Sequence, residues 1–176
     1  MNIFDVHIKN GEVIDGTGAP KFKSDIVIDK GKIIGVFPAE NGDVRDPSEN
    51  HFLSNFKAKH TINAENKIIS PGFIDVHTHD DDNVFLDPSM SSKISQGVTT
   101  CVAGNCGISL APFSYKGEVP APIALLGKSE VFRFPRVSDY KEEFNNKPSS
   151  VNLALLTGHS MLRVEAMNLS LIHISE

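Results

Sequence analysis

Residues 67–79 read KIISPGFIDVHTH, and at this stretch the rhythm of the chain changes. Pro71-Gly72 opens a short apolar segment that Phe73, Ile74 and Val76 are expected to bury, and His77 and His79 close it. The pattern predicts a strand that ends in two imidazoles. On a strand, residues two apart project from one face, roughly 6.5–7 Å apart along the chain. His77 and His79 then point together while Thr78 faces away. Two readings of the pair stay open here. It is polar decoration of a strand end, or it holds a metal ion, at about 2.0–2.1 Å from each nitrogen for zinc.

Downstream, DPSMSSKISQG (87–97) has helical potential, and VTTCVAGN (98–105) reads as a strand buried on both faces. A Pro-rich loop, FSYKGEVPAPIALLG (113–127), precedes a helix around SDYKEEFNNK (138–147) and another short buried strand in VNLALLTGH (151–159). Strands alternating with helical or loop segments predict βα units and a parallel sheet. All three strands end in chemically capable residues: His77 and His79, then Asn105 and Cys106, then His159. In parallel α/β folds ligands gather outside the carboxyl ends of strands, and in β/α barrels that end carries the active site.

Upstream, FDVHIKNGEVI (4–14) and DIVIDKGKIIGVF (25–37) are rich in Val and Ile. The second breaks at Lys30-Gly31-Lys32, where Gly31 supplies the positive φ of a tight hairpin turn. Between them DGTGAPKFKS (15–24) is loop chemistry. Residues 40–60 show no periodicity and read as a long surface loop, after which TINAENKIIS (61–70) returns to strand character. These segments predict a small antiparallel sheet unit.

Of the 176 residues, 40% are hydrophobic and 22% charged, as in globular proteins. A net charge of −5 argues against nucleic acid or an anionic membrane surface as a partner. The N-terminus lacks a basic segment followed by an apolar one, and no apolar run nears the roughly 20 residues that cross a bilayer. The two cysteines, Cys101 and Cys106, make no disulfide framework and miss the spacing of zinc ribbons, so a reduced, cytoplasmic protein is expected. A β/α barrel takes about 250 residues. Only three strand-plus-crossover units are legible, so the barrel would be open and the chain reads as a fragment.

Cys106 lies past the second buried strand between Asn105 and Gly107, where a thiolate reaches an ion more easily than inside a strand. With imidazole, a thiolate favours zinc over magnesium or calcium. The alternative is an inert buried thiol, which is the reading given to Cys101. Asp80, Asp81 and Asp82 are expected mainly as solvated loop or helix N-terminus, with orientation of the histidines as the alternative. His159 and Arg163 are expected in structural hydrogen bonds. His7, His51, His60 and His173 have no supporting context. Nucleophile-elbow and phosphate-loop motifs are absent.

GEVIDGTGAP (11–20), SPGFIDVHTHDD (70–81), ISQGVTTCVAGNCGISLAP (94–112) and NLALLTGHSMLR (152–163) together resemble the N-terminal part of N-acyl-D-amino-acid deacylases, a branch of the metal-dependent amidohydrolase superfamily. The similarity runs from Asp5 to about Met167. H-x-H after P-G-F-I-D belongs to the whole superfamily, whereas G-N-C-G marks this branch, whose relatives use a carboxylated lysine or a glutamate there. The resemblance implies an α/β fold with a β-sandwich subdomain over residues 1–67 and an incomplete TIM-like (β/α) barrel over 68–176. It implies Zn2+ held by His77, His79 and Cys106, further histidines and an aspartate base later in the barrel, and a small-molecule substrate, an N-acyl-D-amino acid, cleaved to a carboxylate and a free D-amino acid. The fragment alone is expected to be inactive. A hydantoinase- or dihydroorotase-like hydrolase and a non-catalytic scaffold are the alternatives.

Overall fold

The computed structural model describes residues 2–38, 56–119 and 122–167. It divides into two compact units, Met1–Pro71 and Gly72–Glu176. The sequence stretches around His51 and His173 lie outside the described residues, as does most of the 40–60 segment.

The first unit holds strands β1 (Asn2–Val13), β2 (Phe22–Asp29), β3 (Lys32–Pro38), β4 (Phe56–Asn63) and β5 (Ile68–Ile69). The hairpin between β2 and β3 turns at Lys30 and Gly31, both with positive φ, which matches the twist of the strands it joins. The order is β3-β2-β1-β4, with β5 also on β1. β1–β2 and β2–β3 are antiparallel, but β4 and β5 run parallel to β1, so the sheet is mixed rather than antiparallel. β4 also begins at Phe56, which corrects the expectation that surface loop extends to about His60. Lys57, Lys59 and His60 hid it, because an exposed strand surface carries no apolar alternation. β1 bulges between Ile8 and Gly11, where Asn10 adopts a positive φ and its N–H donates to Asp25 at 2.9 Å. Ile8, Val13, Ile26, Ile28, Ile33 and Ile69 line an apolar groove of about 260 Å³ in this unit.

The second unit contains β6 (Phe73–Asp75), α1 (Asn83–Leu86), α2 (Ser91–Ile94), β7 (Val98–Ala103), β8 (Phe113–Ser114), β9 (Arg133–Phe134), α3 (Val137–Asn146), β10 (Asn152–Leu155) and α4 (His159–Met167). β6, β7 and β10 form a parallel sheet with β7 in the middle, while β8 and β9 make a separate antiparallel pair. The predicted parallel arrangement and the helix at 138–147 are present.

One core packs against β7. Cys101 and Ala103 on the strand, Met90 before α2, Ile108, Leu110, Phe113, Phe132, Tyr140 and Met161 are all buried. Phe85, Phe134 and Tyr140 meet edge-to-face or tilted at 5.0–5.9 Å between ring centres, the favoured aromatic geometry. The Tyr140 hydroxyl donates to the Asp81 carbonyl at 2.6 Å and ties α3 to the segment after the histidines.

Burial of β6 differs from expectation. Phe73, Ile74 and Val76 are 59, 60 and 67% exposed. Within the second unit β6 pairs with β7 on one side only, and its apolar side chains stay more than half exposed. β7 is likewise covered unevenly, with Thr99 exposed and Cys101 fully buried.

Gly104 ends β7 with φ +81°, and a Cβ there would meet the Leu156 carbonyl oxygen at 2.0 Å. That oxygen is backbone and has no rotamer to move. Gly104→Ala is expected to destabilise the second unit by roughly 1–3 kcal/mol or more, read as a lowered urea midpoint. An unchanged midpoint would show that the β7–β10 end tolerates a side chain.

Candidate metal centre

β6 ends at Asp75, so His77 and His79 lie in the loop beyond the strand rather than on it. Their convergence has another cause. The loop runs along the end of β7, and the Thr78 N–H donates to the Val102 carbonyl at 3.2 Å. Thr78 is buried under the loop, His77 is exposed and His79 half-buried, with ring centres 5.8 Å apart.

Cys106 reaches the same place from β7. Asn105-Cys106-Gly107 is a tight turn in which Cys106 and Gly107 have φ of +56° and +75°, closed by the Ile108 N–H donating to the Asn105 carbonyl at 3.1 Å. Positive φ at both central positions defines a type I′ turn, which Gly107 adopts freely and Cys106 at a cost of about 1–2 kcal/mol. The strained conformation lifts the thiol out of the strand. Asn105 steadies the turn by donating to the Val102 carbonyl at 2.7 Å and the Thr78 carbonyl at 3.4 Å, which links the cysteine turn to the histidine loop. Ser160, in the first turn of α4, donates its N–H to the Gly107 carbonyl at 2.9 Å.

His77, His79 and Cys106 therefore offer three ligand atoms within 4.8 Å of one another, and among the described residues they are the group of His, Cys, Asp and Glu side chains with metal-site spacing. His77 Nε2 lies 3.1 Å from Cys106 Sγ. Ligand atoms at about 2.0–2.3 Å from one tetrahedral ion stand roughly 3.3–3.6 Å apart, so side-chain shifts on the order of an ångström bring the three onto one ion. His79 Nδ1 is buried without a hydrogen-bond partner, an arrangement that typically costs about 1–3 kcal/mol. An orphaned imidazole nitrogen beside a second imidazole and a thiol fits a soft divalent cation such as zinc. His159 and Arg163 are exposed on α4 and do not join the trio.

The acidic run differs from the expected solvated stretch, for each member is at least half-buried and has its own surroundings. Asp80 accepts from Thr78 and from Lys93, whose ammonium lies 2.9 Å away. Burial would raise the Asp80 carboxyl, but these donors outweigh it and hold it below the usual carboxylate range. Asp81 is fully buried, and burial pushes its carboxyl upward. The backbone N–H groups of Gly104 and Leu110 oppose that rise, yet neither Asp81 oxygen closes a hydrogen bond. Asp82 is raised by burial and partly offset by Arg133, 3.6 Å away. The sequence marks Asn105 only as a capable residue at a strand end and gives no signal for Lys93. Their contacts are set by how β6, α2 and β7 pack, which a local motif does not specify.

A family model described as the amidohydrolase family matches residues 60–172, well over half of the chain. The chain belongs to the amidohydrolase family. It is 39% identical over 165 residues to a D-aminoacylase of Alcaligenes xylosoxydans xylosoxydans, covering 93% of this chain and 31% of that enzyme. It is similar to a solved D-aminoacylase described as defining a novel subset of amidohydrolases, with TM-score 0.79 and 44% identity over 93% of this chain and 31% of that one. It is also similar to the N-acyl-D-glutamate deacylase of Bordetella bronchiseptica, solved with zinc and a phosphonate inhibitor, with TM-score 0.79 and 38% identity over 96% of this chain and 32% of that one. The mixed α/β fold is that of these amidohydrolases, and the chain spans just under a third of their length.

The two thiols should separate chemically. Cys106 is exposed, whereas Cys101 is buried and its burial pushes the thiol pKa up, away from the reactive thiolate. Iodoacetamide is expected to modify the native chain once, at Cys106 by peptide mapping, and stoichiometric zinc is expected to protect that site. Modification of Cys101 in the native chain, or indifference to zinc, would contradict the geometry.

Proposed function

We propose that the whole protein is a zinc-dependent amide hydrolase that removes the acyl group from N-acyl-D-amino acids, releasing a carboxylate and a free D-amino acid. The observation that carries this reading is a cysteine, Cys106, brought into reach of both imidazoles of His77-Thr78-His79. In the wider superfamily a lysine carboxylate or glutamate stands at the cysteine's place, so the thiol favours the D-aminoacylase branch. The relatives' activities and the zinc in the Bordetella bronchiseptica enzyme support the same choice.

In this reading His77, His79 and Cys106 hold the ion, the first two as neutral imidazoles and the third as a thiolate. When bound, zinc supplies Lewis-acid polarisation of a carbonyl and acidifies water toward neutrality. The residues described here do the positioning. The αL conformation of Cys106 keeps its sulfur outside the strand, Asn105 links the two turns, and Thr78 anchors the histidine loop to β7. The exposed face of His77 leaves the mouth of the site open to a small-molecule substrate.

The architecture follows from the same reading. We take the unit up to about residue 67 as part of a β-sandwich, because its apolar groove along Ile26 and Ile33 fits a second sheet packed against it. Residues from 68 onward supply the first strands of a TIM-like barrel. Three parallel strands in sequential order, with candidate ligands just past the carboxyl ends of the first two, support this, and so do the exposed apolar side chains of β6.

Full-length protein is expected to hydrolyse an N-acetyl-D-amino acid but not its L-isomer, to lose activity on chelation and to regain it with zinc. Cys106→Ser is expected to lower kcat/KM by about 10²-fold or more, since it replaces a soft anionic ligand by a weak neutral one. Turnover that survives chelation, or no hydrolysis of any D-substrate, would overturn the proposal.

A further inference from the structure

Lys93 lies fourteen residues beyond the second histidine, on a different element, yet its ammonium sits beneath the histidine loop. It lies 2.6 Å from Asp75 Oδ2 and 2.9 Å from Asp80 Oδ2, and it donates to Thr78 Oγ1 at 3.4 Å. These partners stand immediately around the pair: Asp75 two residues before His77, Thr78 between the histidines, and Asp80 directly after His79. We propose that Lys93 is a positioning residue that pins both ends and the middle of the His77-Thr78-His79 loop, and so sets the separation of its two imidazoles. The proposal rests on the reading of these imidazoles as metal ligands.

Three features separate this contact from an ordinary surface ion pair. Lys93 is 21% exposed, and the Asp75 and Asp80 side chains are 29% and 19% exposed, so solvent screens the network only partly. One cation answers two carboxylates that would otherwise repel across the loop, and Asp80 also accepts from Thr78, so the partners form one network rather than a single pair. The clamp is itself anchored. Met90, fully buried in the core, starts the α2 turn, and its carbonyl accepts from the backbone N–H groups of Lys93 and Ile94, both at 2.9 Å. A flexible side chain on a fixed turn thus ties the loop to the core. Burial by itself would lower the Lys93 pKa, but the two carboxylates outweigh it and keep the ammonium charged.

The electrostatic and positioning roles of Lys93 have opposite signs toward a cation. Removing a positive charge near the site by itself tightens metal binding, whereas loosening the loop weakens it. Cobalt(II) titration of the full chain, followed by the sulfur-to-cobalt charge-transfer absorption, reads both. The band in the wild-type chain reports ligation by Cys106 independently of Lys93. Lys93→Met is then expected to bind cobalt about 10–100-fold more weakly, the range for loss of a group that orients metal ligands. Lys93→Arg, which still bridges two carboxylates, is expected to restore most of the affinity. Equal or tighter binding by Lys93→Met, or no recovery with Lys93→Arg, overturns the clamp while leaving the metal reading intact. If circular dichroism shows that Lys93→Met has lost its native fold, Asp80→Asn decides: it keeps the Asp75 contact, and an intermediate loss of affinity is expected, with wild-type affinity overturning the proposal. Absence of the band in the wild-type chain overturns both readings.

Discussion

The parallel pairing of β6 with β7 is the constraint on which the candidate site depends. Asp75 stands opposite Cys101, so the two strands leave the sheet side by side in the same direction. From that register His77 and His79 follow two and four residues past Asp75, and Cys106 five residues past Cys101. Residues 29 positions apart in the chain then meet at 3.1 Å without a long excursion by either. The two departures are joined by hydrogen bonds, from the Thr78 backbone N–H to the Val102 carbonyl and from the Asn105 side chain to the carbonyls of Val102 and Thr78. A slip of one residue in this pairing would reverse the faces of β6 and break the meeting.

The support beneath the site is partly polar. Asp81 is buried behind His79 with no hydrogen bond to its carboxylate, while its carbonyl accepts from Tyr140 in the aromatic cluster. Lys93 holds the loop from the side of α2, and Arg133 approaches Asp82 while lying over the Phe134 ring at 4.5 Å. Buried polar groups of this kind are costly unless they are satisfied or used. Three of the buried polar groups, Thr78, Asp81 and Asp82, fall within three residues of His79, and clustering of such groups is one feature of ligand-holding regions. The backbone conformation of Cys106 agrees with it, since a non-glycine αL residue at a strand end persists only where the surroundings enforce it.

Much of this was legible from residues alone. The strand starting near Pro71-Gly72, the helix at Val137–Asn146 and the turn at Gly31 follow from apolar runs and turn residues, whereas His77, His79 and Cys106 as one ligand set come from the resemblance of their motifs to the deacylases, the residues alone leaving each open. What escaped has identifiable physical reasons. β4 carries lysines and histidine on an exposed surface, so its strand character leaves no alternation to read. Its parallel pairing with β1 is a long-range contact that local pattern does not encode. The exposure of Phe73, Ile74 and Val76 depends on what covers β6, and side-chain type says nothing of that. His77 and His79 converge in a loop rather than on a strand, so the period-two alternation read from sequence is not what brings them together. Lys93 sits in a polar stretch that looks solvated, and only the packing of α2 turns it toward Asp75 and Asp80. No described helix is long and apolar enough to cross a membrane.

The central claim is that two imidazoles and one thiolate share a single cation. X-ray absorption at the zinc edge of the zinc-loaded full chain reads that first shell directly. A sulfur scatterer at about 2.3 Å together with nitrogen scatterers at about 2.0–2.1 Å is the expected result. A shell of nitrogen and oxygen alone, with no sulfur, would contradict it.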